Sequence, residues 1–243
     1  MTKTTLIVPC FNEADRFWPD EFQNLIGMSD AHLLFVNDGS TDDTANILQA
    51  TVAEIGCKAE LMTLANNGGK GEAVRLGLCQ AIDQGADMIG FIDADMATST
   101  RDVCRLLDAV RDGRADVILG SRVALLGYDI RRSPVRHYLG RVFATAAALT
   151  LGLPIYDTQC GAKFFRVTDS VKAALAEPFH SRWAFDVELI GRILVLTGPE
   201  RMMEMPLQSW HSRPGSTLSF PVMVRSFLEL ISIYRHLTEY QRR

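Results

Sequence analysis

Short apolar runs recur along the first half of the chain, separated by segments whose apolar residues fall at helical spacing. Residues 4–8, 32–36, 59–64, 88–92 and 116–119 read as strands. Residues 42–55, 71–84 and 100–111 read as the helices between them. In the last of these, Val103, Leu106, Leu107 and Val110 mark one face, and Gly113 stands where a helix would stop. Strand and helix in alternation predict a mostly parallel sheet with crossover helices. After Gly120 the rhythm changes. Residues 125–134 read as a loop, 135–151 as a helix rich in Ala and Leu, and 221–240 as a closing amphipathic helix, with shorter elements to about Trp210 in between. Without a repeat or a low-complexity linker, one α/β domain is expected, with residues 1–122 as its ligand-binding half and 123–243 completing the site.

The run Gly90-Phe91-Ile92-Asp93-Ala94-Asp95 departs from this pattern in an informative way. An apolar strand ends in two carboxylates, and unpaired carboxylates must be solvated, paired or bound to a metal. The carboxyl ends of parallel strands are where open α/β sheets bind ligands. Asp93 and Asp95 therefore suit a hard divalent cation whose other positions are filled by phosphate oxygens.

Three other strand ends carry polar residues. Pro9-Cys10-Phe11-Asn12-Glu13 follows the first strand; a proline turn with a helix-start acid explains it as well as a base or ribose contact does. Asn37-Asp38-Gly39-Ser40-Thr41-Asp42 follows the second. There Gly39 permits a tight bend and Ser40 or Thr41 can cap the next helix, leaving Asp38 to accept from a nucleobase. Asn66-Asn67-Gly68-Gly69-Lys70-Gly71 precedes a helix, and its backbone N–H groups with Lys70 suit an anion such as a diphosphate. The chain has neither the P-loop spacing nor G-x-G-x-x-G, which weighs against both corresponding nucleotide-binding motifs.

Composition narrows the setting. Over 243 residues the formal net charge is −4, which gives no general electrostatic reason to bind nucleic acid. Five cysteines without C-x-x-C spacing suggest neither zinc nor a disulfide framework, so a reducing, cytoplasmic setting is expected. With a strand expected from Thr4, no signal peptide is expected, and the apolar stretch at 144–153 is shorter than the roughly 20 residues that span a bilayer.

The strand ends and the Asp93-Ala94-Asp95 pair, in this order, resemble the family 2 glycosyltransferases of the GT-A fold. Asp157-Thr158-Gln159-Cys160-Gly161-Ala162-Lys163-Phe164-Phe165 and Arg182-Trp183-Ala184-Phe185-Asp186-Val187-Glu188-Leu189 look like the signatures of the dolichyl-phosphate β-glucosyltransferase branch. Asp93-Ala94-Asp95-Met96-Ala97-Thr98 and Gly120-Ser121-Arg122 are similar to that branch too. The resemblance, over residues 4–218, implies that Pro9, Phe11, Glu13, Val36 and Asp38 surround base and ribose. It implies that Asp93 and Asp95 hold Mg²⁺ or Mn²⁺ on the diphosphate, with Ala94 against the nucleotide. Arg122 would lie near phosphate, and Asp157, Lys163, Arg182, Trp183 and Asp186 would form the acceptor side. Where relatives carry Gly-Ser-Lys near the C-terminus this chain has Gly215-Ser216-Thr217, with Arg213 nearby, and an N-terminal membrane anchor like that of eukaryotic members is not expected.

The implied reaction is inverting transfer of a sugar, with UDP-glucose the favoured donor, onto polyprenyl or dolichyl phosphate. Such an acceptor is already anionic, and Lys163 or Arg122 would position it. A hydroxyl acceptor would need a base, with Asp186 the first candidate and Asp157 the second. The competing readings for those acids are a helix-start carboxylate at Asp186 and a loop-holding one at Asp157. His211, after the last strand, is a further candidate metal ligand. The basic, apolar C-terminal helix and the helix before it suit either a membrane interface or packing on their own domain. Alternatives for the whole chain are a transferase with a soluble or polysaccharide acceptor, a nucleotidyltransferase, and a nucleotide-binding protein without catalysis. Oligomeric state is left open.

Overall fold

In the computed structural model, which describes residues 2–131, 134–211 and 220–240, the first half folds as alternating strands and helices. Strands β1 (Thr4–Cys10), β2 (His32–Asn37) and β3 (Ala59–Thr63) enclose helices α1 (Pro19–Met28) and α2 (Thr44–Ile55). Helix α3 (Lys70–Asp83), strand β4 (Met88–Ile92), helix α4 (Thr100–Arg111) and strand β5 (Val117–Ser121) follow. The second half comprises β6 (Asp129–Arg131), α5 (Pro134–Leu151), β7 (Ala162–Arg166), α6 (Asp169–Leu175), α7 (Phe185–Thr197), β8 (Met202–Pro206), β9 (Ser209–His211) and α8 (Phe220–Tyr240).

Seven strands form one sheet in the order β3-β2-β1-β4-β7-β5-β8. All neighbours are parallel except β7, which runs antiparallel between β4 and β5. The sheet thus draws strands from both halves of the chain. One apolar layer, including Leu6, Leu33, Phe35 and Ile118, lies under α1 and α4; the other, including Ile7, Leu34, Val36 and Phe91, lies under α3, α7 and α8. Gly77 brings α3 down onto the sheet: a Cβ there would stand 2.6 Å from Ile7 Cγ2.

Helix α4 keeps both predicted ends. Ser99 Oγ accepts from Asp102 N at 3.2 Å, a cap worth about 1 kcal/mol, and Val103, Leu106, Leu107 and Val110 are buried. The segment expected as a plain loop at 125–134 contains β6, which pairs in parallel with β9 to form a separate two-stranded sheet. Arg213, Gly215-Ser216-Thr217, Arg242 and Arg243 lie outside the described residues, as do the side chains of Val222 and Met223.

Candidate active site

Strand β1 has β2 on one side and β4 on the other, so chain order reverses direction across β1. The crevice beyond the carboxyl ends of β1 and β4 is the ligand position of such a sheet. Every early motif opens into it.

Pro9 and Val36 are register partners at the buried ends of β1 and β2, and Phe11, 42% exposed, stands beyond them. The turn after β1 is stitched to the turn after β2. Thr41 N donates to Asn12 Oδ1 at 2.9 Å, Glu13 N to Thr44 Oγ1 at 2.7 Å, and Asn12 N to Ser40 Oγ at 3.1 Å. Asn12 takes a left-handed backbone, φ 52°, which asparagine tolerates. Glu13 is buried and paired with Arg16; burial raises its proton affinity and the arginine opposes that. Asp38 does structural work in this arrangement. Its Oδ1 accepts from Gly68 N at 2.7 Å, and its Oδ2 from Gly69 N at 2.8 Å and Asn67 Nδ2 at 2.9 Å. The glycine-rich loop is therefore pinned to the end of β2 by the acid expected to meet the base.

The two carboxylates after β4 sit on a tight turn. Met96 N donates to the Asp93 carbonyl at 3.2 Å and Ala97 N to Asp95 Oδ1 at 3.0 Å. Met96, just after the second acid, adopts φ 47°, a strained conformation for a non-glycine residue, at the end of the turn that its N–H closes on Asp93. Ala94 is buried. Burial raises the proton affinity of Asp95, and the charge on Asp93 raises it further. Asp93 goes the other way: burial opposes its ionisation, but Lys70, with Arg122 and Lys163, holds its carboxyl below the usual range. Lys70 Nζ lies 2.5 Å from Asp93 Oδ1. An oxygen-only donor pair that repels itself fits a hard divalent cation. Gly161 supplies the space, since a Cβ there would overlap the Asp93 carboxylate.

The second half surrounds this pair with buried cations and their partners. Arg122, just past β5, forms a two-pronged ion pair with Asp157, Nε to Oδ2 at 2.7 Å and Nη2 to Oδ1 at 2.9 Å, and lies over the Trp210 ring. Burial acts against the guanidinium's charge, but the Asp157 carboxylate outweighs it and raises the proton affinity. Glu204 on β8 aims Asp157 by accepting from Tyr156 N at 2.8 Å and Asp157 N at 2.7 Å. Lys163 is fully buried. Its ammonium donates to the Cys160 carbonyl and to Asp186 Oδ1, both at 2.5 Å, so it has no open approach to an acceptor phosphate in this arrangement. Asp186 occupies the first turn of α7. Arg182 reaches over Gly69 to donate to Asn67 Oδ1 at 2.5 Å, linking the later signature to the glycine-rich loop. Trp183 is exposed, whereas Phe185 is a core residue against Phe91 and Phe179. His211 pairs with Asp129 at 2.8 Å on the outer two-stranded sheet.

The contacts of Gly161, Glu204 and Asn67 were not legible from the sequence. Only the presence of the first and third in unusual polar or glycine-rich runs could have drawn notice.

Residues 5–171 match the model of glycosyl transferase family 2. A dolichyl-phosphate beta-glucosyltransferase of Saccharomyces cerevisiae is 29% identical, over 90% of this chain and 70% of its own. The Mus musculus enzyme of that name is 32% identical, over 76% of this chain and 61% of its own. A polyprenol monophosphomannose synthase of Mycolicibacterium smegmatis is 26% identical, over 79% and 72%. Among solved structures, glucosyl-3-phosphoglycerate synthase of Mycobacterium tuberculosis in complex with Mn²⁺, UDP and glucosyl-3-phosphoglycerate superposes with a TM-score of 0.70, covering 97% of this chain and 80% of that one, at 17% identity. The GT-A fold expected from the strand ends is thus the observed one, and the chain belongs to the family 2 glycosyltransferases.

Proposed function

We propose that this enzyme transfers glucose from UDP-glucose, with inversion, onto a polyprenyl phosphate such as dolichyl phosphate. The observation that carries the choice of a phosphate acceptor is the state of the two candidate bases. Asp186 is engaged by Lys163 and Asp157 by Arg122, so neither is poised to take a proton from a hydroxyl. A phosphate oxygen needs no such help, because it is already an anion near neutral pH. The names of the relatives, dolichyl-phosphate beta-glucosyltransferase among them, point the same way.

In this reading Pro9, Phe11, Glu13, Val36 and Asp38 border the uridine, and Ala94 packs beside it. Asp93 and Asp95 would hold Mg²⁺ or Mn²⁺, which, when bound, supplies a Lewis acid for the departing diphosphate. Lys70, beside Asp93 at the start of α3, would offer its ammonium to the diphosphate together with the N–H groups of that helix start. Arg122, its plane fixed by Asp157 and Trp210, offers a preset cation to phosphate. Lys163 and Asp186 act together as a buried support beneath Asp93 and α7. The phosphate oxygen of the acceptor attacks the anomeric carbon from the face opposite the diphosphate, which leaves with the bonding pair.

A lipid acceptor also accounts for the outer surface. Helices α5 and α8 pack together through Phe143 and Phe227, yet each leaves large apolar side chains in solvent: Tyr138, Val142 and Leu149 on α5, Leu228, Ile231 and Tyr234 on α8. No helix among the described residues is long and apolar enough to cross a membrane. We assign this face to peripheral contact with the bilayer that holds the acceptor, on its cytoplasmic side. The test is release of nucleoside diphosphate from a panel of sugar nucleotides with Mg²⁺ or Mn²⁺. Release from UDP-glucose that requires polyprenyl phosphate supports the reading; release that a soluble hydroxyl acceptor stimulates as well removes it.

A further inference from the structure

Helix α7 begins without a cap of its own. Ala184 is its N-cap residue, and its side chain offers no acceptor to the free N–H groups of the first turn. The turn that leads into the helix, residues 181–184, is held instead from α8. One Glu229 oxygen accepts from Ser181 Oγ at 2.5 Å, Trp183 N at 3.0 Å and Ala184 N at 3.1 Å, while Ser181 Oγ itself accepts from Ala184 N at 2.8 Å. A carboxylate at a helix N-terminus is favoured by the helix dipole, and three donors on one oxygen fix the whole turn. Glu229 is 15% exposed in its side chain, with Arg225 at 3.7 Å along its own helix.

The turn so fixed carries site residues. Arg182 sits within it, on Gly69 and Asn67, and Asn67 in turn holds Asp38. Immediately after it, Phe185 packs on Gly71 and Asp186 takes Lys163. The neighbouring cluster of His180, Glu188 and His236 brings its ligand atoms within 4.8 Å, yet Arg192 already neutralises Glu188 at 2.7 Å, so it belongs to the packing of this seam.

We propose that Glu229 is a positioning residue: from α8 it sets the Ser181–Ala184 turn, and through that turn the placement of Arg182 against the glycine-rich loop. The consequence is mechanical. How α8 is seated on the domain determines the geometry at the donor site, and the same helix carries the exposed Leu228, Ile231 and Tyr234. The link from Glu229 to the turn stands on geometry alone; its effect on turnover rests on the transferase reading above.

Two readouts keep those apart. The first is amide hydrogen exchange in wild type and Glu229→Ala, which needs no substrate. Faster exchange confined to residues 181–186, with the α8 amides close to wild type, is expected; unchanged exchange at Trp183 and Ala184 overturns the proposal. The second is the kcat/KM for sugar transfer. Glu229→Ala is expected to lose about 10- to 100-fold, as small misplacements of site groups do. Glu229→Gln, which keeps one acceptor oxygen, should recover part of that loss. In an Arg182→Ala background, Glu229→Ala should cost little more. If the two losses multiply independently, Glu229 does not act through Arg182 and the proposal fails.

Discussion

Gly161 stands directly against the carboxylate of Asp93, close enough that any β-carbon would occupy the same space as its oxygens. The two residues are 68 positions apart in sequence, Asp93 just after β4 and Gly161 just before its antiparallel neighbour β7. A glycine in the middle of a signature thus has a plain reason to be there: it clears the volume that the Asp93 carboxylate occupies. Gly161→Ala should displace Asp93 and cut kcat/KM on the order of 100-fold, with a stability loss of about 1–3 kcal/mol from overpacking. Mn²⁺ affinity measured by electron paramagnetic resonance should weaken in parallel. Unaltered Mn²⁺ binding and turnover would show that Asp93 does not need that space.

The Arg122–Asp157 pair is buried on both sides, with side-chain exposures of 18% and 7%. Removing one partner from such a pair costs about 3–5 kcal/mol, since it strands a charge. Asp157→Ala should therefore lower the thermal midpoint by roughly 10 °C, and it should also lower kcat by releasing Arg122. The double variant Arg122→Ala/Asp157→Ala should cost clearly less stability than the two single losses together. Strict additivity in calorimetry would mean that the pair is not coupled.

His236 gives the seam between α7 and α8 a pH dependence. Burial lowers its proton affinity and His180 lowers it further; Arg192 adds to this, while Glu188 and Glu177 oppose it. In the unfolded chain a histidine titrates near 6.5. Below that pH the unfolded state binds more protons than the folded one, so stability falls as pH drops from about 6.5 towards the lowered folded value, then levels off. Urea midpoints between pH 7.5 and 5 should show this slope in wild type and a flatter one in His236→Gln. Equal slopes would remove His236 from the account.

How far these features could be read in the sequence depended on whether their causes were local. Asp93 and Asp95 stood out because an apolar strand has no other reason to end in two acids, and α4 kept its ends because its cap and its apolar face lie within one segment. Helix α1 was not predicted: it is short, follows Trp18-Pro19 and buries only Phe22 and Leu25, too few positions to set a period. Strand β7 was not predicted either. It is buried on both faces and includes Lys163, so it shows no alternation, and nothing local reveals its antiparallel direction. The partners of the site acids lie far off in sequence. Lys163 meets Asp186, Arg122 meets Asp157, and Glu204 holds the loop of Asp157, across 23, 35 and 47 residues. Asp38 is the instructive case, because its position was legible while its bonds to Gly68 and Gly69 were not.

The most direct measurement is transfer of labelled glucose from UDP-glucose to polyprenyl phosphate, with the anomeric configuration of the lipid product determined by NMR, for wild type and Asp95→Asn. An inverted, β-linked glucosyl phospholipid is expected, formed only with Mg²⁺ or Mn²⁺ and reduced at least about 100-fold in Asp95→Asn. Retention of the donor's configuration, or a variant as active as wild type, would contradict the metal-held displacement.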